Sequence, residues 1–135
     1  MNNARFETTL TAGPEHIDEL GHVNNAVWVQ WIQQVAVAHW DLVADAAQKN
    51  AYYWVVVRHE IDYLHAAHLG DAIIARTWVG TASGIRFERH TELLRASDRR
   101  LLAKARTVWC PIDAATGMPA RVRPEVRARF SSEAD

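Results

Sequence analysis

Residues 18–25 read Asp-Glu-Leu-Gly-His-Val-Asn-Asn and stand at the mouth of a strongly apolar run, "AVWVQWIQQVAVAHW" (26–40). The stretch offers a carboxylate (Asp18), a glycine (Gly21), an imidazole (His22), an apolar spacer (Val23) and two amides (Asn24, Asn25). A carboxylate can act as a general base or as a nucleophile. The first N–H groups of a helix have no intrahelical acceptor and lie at the positive end of its dipole. An oxygen on which negative charge develops, aimed at those N–H groups, meets donors that need no reorganisation. Asn24 suits the N-cap, which leaves Asn25 as the first helical residue with its N–H free for a ligand. Gly21 suits a sharp turn or the close approach of a ligand. From the residues alone, Asp18 reads first as a loop acid or a capping partner, and Asn24 as a cap. His22 reads as a hydrogen-bonding support before it reads as a proton carrier.

The remaining histidines raise the question of a metal. "HEIDY" (59–63) is not the His-Glu-x-x-His helix motif, because its fifth residue is Tyr63 and its context is strand-like. His65 and His68 have no evident third ligand, so no metal and no cofactor is expected. Cys110 is the single cysteine and lies in an apolar, strand-like stretch. It cannot form an internal disulfide, which fits a reducing compartment, and it reads as a small buried hydrophobe.

The elements that must position Asp18 and the asparagines follow from hydrophobic periodicity. "RFETTLT" (5–11) alternates, as a first strand does. From Ala26 to about Ala47 there is neither Gly nor Pro, and Gln30, Gln34, Asp41, Asp45 and Gln48 draw one polar stripe at helical spacing. A single helix of about six turns is expected there, apolar over most of its circumference and therefore wrapped by other elements. Trp28 and Trp31 are expected to pack it into the sheet. Four strand-like runs follow, at 52–65, 71–80, 85–95 and 100–112, rich in β-branched and aromatic residues. Gly70-Asp71, "GTASG" (80–84) and "ASDR" (96–99) read as the turns, the last two short enough for antiparallel hairpins. Pro124 is well placed to start a last helical turn, "PEVRARF". One helix on an antiparallel sheet of about five strands is an α+β layering, and a sheet curled around its helix is the hotdog fold.

Composition bounds the function. At 135 residues, 49% hydrophobic and 23% charged, the chain reads as one globular domain over 1–135. A formal net charge of −1 gives no field for nucleic acid or an anionic membrane. No window approaches the ~20 apolar residues of a membrane span, and "MNNARFETT" has no signal-peptide core, so a complete cytoplasmic protein is expected. Arg99, Arg100, Lys104, Arg106, Arg121, Arg123, Arg127 and Arg129 crowd the last third; they read mainly as solvated charge, with a few available to phosphates.

The stretch "IDELGHVNNAVWVQW", with "EIDYLHAAHLGD" further on, resembles the 4-hydroxybenzoyl-CoA thioesterase family of hotdog acyl-CoA thioesterases over nearly the whole chain. The signature Asp-x-x-Gly-His-Val-Asn-Asn carries the resemblance, and Tyr63-Leu64 with Gly70-Asp71 adds to it. The resemblance implies that Asp18 is the catalytic carboxylate and that the N–H of Asn25, seven residues later, is the oxyanion donor. Gly21, His22, Val23 and Asn24 would then surround the substrate. It also implies a homodimer or homotetramer with active sites between subunits. Two positions depart from the family pattern: His16 stands where many relatives have a second Asp, and Ala66 where they often have Pro. Hydrolysis of an acyl-CoA, or of an acyl carrier protein thioester, is the expected activity. An enoyl-thioester hydratase and a non-catalytic acyl-thioester-binding module are the alternatives.

Overall fold

A computed structural model describes residues 5–121 and 124–130, without the side chains of 125, 129 and 130. The side chain of Arg129 and all of Arg123, both in the basic cluster, therefore lie outside the described residues, as do residues 1–4.

Five strands form one antiparallel sheet: β1 (Arg5–Thr11), β2 (Tyr52–Tyr63), β3 (Ala72–Ser83), β4 (Arg86–Arg95) and β5 (Leu101–Asp113). Their order is β1-β3-β4-β5-β2, so the last three strands are a meander and the first two take the edges. The sheet curves over one long helix, α1 (Asn25–Val43), in the expected hotdog arrangement. A short helix, α2 (Ala46–Ala51), leads into β2, and α3 (Pro124–Phe130) begins at Pro124 as expected.

Two boundaries differ from the sequence expectation. The six-turn helix is broken at Ala44, which is extended (ψ 139°). Asp45 accepts from the N–H of Gln48 at 2.8 Å, and the Gln48 side chain accepts from the N–H of Asp45 at 2.9 Å. That reciprocal pair is a capping box, and it starts a new helix where the polar stripe counted Asp45 and Gln48 as interior positions. Replacing Asp45 with Ala should lower stability by about 1 kcal/mol, a fall of about 4 °C in Tm. An unchanged melting temperature would show that α2 is held without its cap. The second difference is at "GTASG": β3 runs on through Ser83, with a register shift between Val79 and Ala82, and only Gly84-Ile85 turn. A Cβ at Gly80 would lie 2.8 Å from Nε2 of His90, so the irregularity sits where the strand has no room for a side chain.

Helix α1 buries Trp28, Trp31, Ile32, Val35, Ala36 and His39 against the sheet and leaves Gln30, Gln33, Gln34, Val37 and Asp41 exposed. Its first half packs with Ile73, Ala75, Leu93 and Ala103. Its second half packs with Val79, Phe87, Trp109 and Val126. Between these clusters the inner face of the sheet carries polar residues. Nη1 of Arg89, fully buried, donates to Nδ1 of His39 at 3.0 Å and to Oγ1 of Thr77 at 3.1 Å. A guanidinium only donates, so Nδ1 of His39 is the acceptor in this bond. Burial holds the pKa of Arg89 well below its ordinary value, at about 9. In the same region His59 meets Thr107 at 2.9 Å and Gln33 at 3.4 Å, and burial lowers its pKa. The indole N–H groups of Trp54 and Trp109 are buried without any partner, at a cost of about 1–3 kcal/mol each.

The outer face of the sheet is charged. Arg106 bridges Glu60 at 3.0 Å and Glu88 at 2.6 Å, which lowers the pKa of both acids. Trp78 lies on this face, under Arg5 at 4.1 Å and stacked on His90. Cys110 is buried, as expected.

Candidate active site

The segment between β1 and α1 is built by its own polar groups. Oδ1 of Asp18 accepts from the N–H of Leu20 at 2.9 Å and of His22 at 3.3 Å, while the backbone N–H of Asp18 donates to His22 O at 2.9 Å. Gly21 closes this loop at φ +79°, a conformation glycine adopts without strain. No atom lies within 4 Å of where its Cβ would be, so backbone conformation, not crowding, selects glycine here. From the loop the chain is tied down twice: Val23 N donates to Ala67 O and Asn24 N to His16 O, both at 2.9 Å.

Asn24 is the N-cap of α1, its Oδ1 accepting from Ala26 N at 2.8 Å. Asn25 is the first helical residue, and its N–H has no acceptor among the described residues. The hydroxyl of Tyr63, at the end of β2, donates to the carbonyl of Asn25 at 3.3 Å and so straps the helix terminus to the sheet edge. These pieces enclose an open groove of about 900 Å³, mouth included. Asp18, His22, Asn24 and Asn25 line one side; Tyr63, Leu64, His65 and Ala66 line the other, with Trp28 between.

Five of the six residues singled out from the sequence thus border one groove, and Gly21 stands behind it in the turn. Val23 is mainly a core residue, 3% exposed and bridged to Ile17, and reaches the groove only at its rim. His22 packs edge-on against His68 at 5.1 Å. His65 accepts from Arg100 at 3.0 Å across the groove wall. No set of three or more His, Cys, Asp or Glu side chains comes together to hold a metal among the described residues. His16 does not line the groove: Nδ1 accepts from Gly13 N at 2.9 Å, and the ring packs edge-on against Trp31. Asp71 accepts from His68 N at 2.9 Å and closes the turn whose backbone holds Ala12, at the end of β1. The Gly70-Asp71 pair is therefore a structural support for the loop.

Sequence reasoning gave Tyr63 no contact of its own. Its hydrogen bond spans 38 residues, and the only trace in the sequence is the Tyr-Leu pair at the strand end. Arg89 also went unmarked, because nothing in "RFERH" shows which arginine is buried.

No described helix is long and apolar enough to cross a membrane. The fold is shared with a 1,4-dihydroxy-2-naphthoyl-CoA thioesterase from Synechocystis, at TM-score 0.79 and 19% identity over 93% of this chain and 95% of that one. A Staphylococcus aureus protein solved in complex with CoA superposes at TM-score 0.83, with 17% identity over 96% of this chain and 83% of that one. An acyl-ACP thioesterase from Bacteroides thetaiotaomicron superposes at 0.82, with 22% identity over 97% of this chain and 55% of that one. No curated protein matches by sequence. Residues 12–130 match the model of the thioesterase-like superfamily, and the chain belongs to that superfamily of thioester hydrolases.

Proposed function

We propose that the chain hydrolyses an acyl- or aryl-CoA, or the matching acyl carrier protein thioester, to free acid and thiol. The observation that carries this reading is the pairing, in one groove, of a half-buried carboxylate with the free N–H at the head of a long helix. Asp18 activates the attacking water or attacks the carbonyl itself. The carbonyl oxygen, charged as the tetrahedral centre forms, rests on Asn25 N–H. Oδ1 of Asp18 is occupied by two backbone donors, which leaves the other carboxylate oxygen available for the chemistry. Arg100, held at the groove wall by His65, is the member of the basic cluster placed to meet a phosphate of CoA. The resemblance to 4-hydroxybenzoyl-CoA thioesterases makes aryl-CoA substrates the first to try. Free-thiol release from a panel of aryl- and alkyl-CoAs and acyl carrier protein thioesters tests the activity. Loss of enoyl absorbance without thiol would support the hydratase instead, and binding without either would support the module.

The same reading holds the working unit to be a homodimer or a tetramer of dimers of one 1–135 domain. The edge strand β2 exposes Tyr53, Val55 and Val57, 40–50% exposed each, on the strand that also ends at the groove. The opposite edge, β1, presents Arg5 and Glu7. An open apolar edge is what a second copy would cover. Light scattering at micromolar concentration should give at least twice the mass of one chain; a stable monomer would overturn the subunit arrangement.

A further inference from the structure

Tyr63 lines the groove with Asn25 and bonds to it from another element. Its own backbone is fixed on two counts. It is the last residue of β2, in register with Ala103 of β5. Just beyond it, the N–H groups of Leu64 and His65 both donate to Leu102 O, at 2.8 and 3.0 Å. From that anchored wall the phenol reaches α1, where its hydroxyl donates to the carbonyl of Asn25 at 3.3 Å. The ring is 44% exposed and belongs to neither core cluster, so the domain's packing does not explain the tyrosine.

The bond lands where helical hydrogen bonding holds α1 least. The N–H groups of a first turn have no acceptor inside the helix, and helix ends fray. The residues on either side of Asn25 are tied down: Asn24 N to His16 O, and Ala26 N to the Asn24 side chain. Tyr63 acts on Asn25 itself, through the carbonyl that the helix also offers to the N–H of Val29. A carbonyl has two lone pairs and accepts both. The C=O and N–H of one residue are joined through a single Cα, so restraining the first restrains the direction of the second. An oxyanion donor works by being already in place, and a misplacement of about 1 Å can cost ~10²-fold in rate.

We infer that Tyr63 is a positioning residue for the oxyanion donor: its hydroxyl, carried on β2, holds the N–H of Asn25 in line with the thioester carbonyl oxygen. The inference rests on the thioesterase reading proposed above. It adds to that reading a side chain that works through Asn25 and touches no reacting atom.

The test is a double-mutant cycle between Tyr63→Phe, which removes the hydroxyl and keeps the ring, and Asn25→Pro, which removes the donor. Tyr63→Phe alone should lower kcat on the best thioester ~10-fold with KM within about two-fold of the parent, because the donor meets charge that exists only in the transition state. A tyrosine that merely bound substrate would raise KM instead, and one that merely supported the wall would lower the melting temperature. In the Asn25→Pro background Tyr63→Phe should cost nothing further, since no N–H remains to be held. Amide exchange at Val29 should quicken in Tyr63→Phe while the melting temperature stays close to the parent's. Parental kcat in Tyr63→Phe beside a crippled Asn25→Pro would overturn the inference and leave the catalytic reading standing. Equal losses in both backgrounds would show Tyr63 acting on substrate directly, which also overturns it. Parental turnover in Asn25→Pro would remove the donor, and the inference with it. Should the double variant not fold, the split between kcat and KM in Tyr63→Phe decides, together with exchange at Val29.

Discussion

Asp18→Asn should yield a folded protein that hydrolyses its best thioester ~10² to 10⁴-fold more slowly. The structure makes this replacement a clean one. What the carboxylate does for the fold is accept two backbone N–H bonds through Oδ1, and an amide oxygen accepts both equally well. What the amide cannot do is take a proton from water or attack a thioester. Loop geometry and chemistry are thus carried by separable properties of one side chain. Melting temperature and circular dichroism, measured beside thiol release, should be those of the parent. Turnover within a few-fold of the parent would remove Asp18 from the mechanism and leave it as the loop acid it also is.

Asn25→Pro is the complementary experiment, aimed at a backbone atom. Position 25 is the first of α1, where proline is tolerated because its missing N–H has no intrahelical acceptor. The residue before a proline must be extended, and Asn24 already is, at φ −62° and ψ 139°. The cap from Asn24 to Ala26 N and the strap from Tyr63 to the carbonyl of Asn25 both survive the change. Only the N–H proposed to receive the oxyanion is lost. Turnover should fall ~10² to 10³-fold with the helix intact. A well-folded variant with parental turnover would exclude this N–H, whatever Asp18 does.

The Asp18–Asn25 side of the candidate groove was legible in the sequence because its parts lie within eight residues and obey local rules; the Tyr63–Ala66 side, some forty residues on, was not. A cap must be Asn-like, the turn needs a positive φ that glycine gives, and the apolar run announces the helix. The five strands were legible for the same reason, since alternation is local. The break at Ala44 was not, because Asp45 and Gln48 satisfy helical spacing and a capping box equally well, and only the tertiary path chooses. Nor was the strand order. Nothing in "YYWVVVRHEIDY" distinguishes pairing with its chain neighbour β3 from pairing with β5, which it does. Buried Arg89 and His39 escaped because charge on a strand reads as solvent-facing until the partners are known.

Strand order also sets how the activity will be lost on heating. The β3-β4-β5 meander closes through short hairpins, whereas β1 pairs β3 across 61–73 residues and β2 pairs β5 across 40–61. Long closures form late, and edge strands with solvent on one side open by smaller fluctuations than the centre. Asp18 hangs from the end of β1, and the Tyr63 strap hangs from the end of β2. Both walls of the groove therefore continue from edge strands, and the meander holds them directly at one point, where the backbone N–H groups of Leu64 and His65 donate to Leu102 O of β5. Amide exchange at β1 and β2 would run ahead of exchange in the meander. Catalysis would fade at temperatures where the meander, and most of the spectroscopic signal of folding, is still intact.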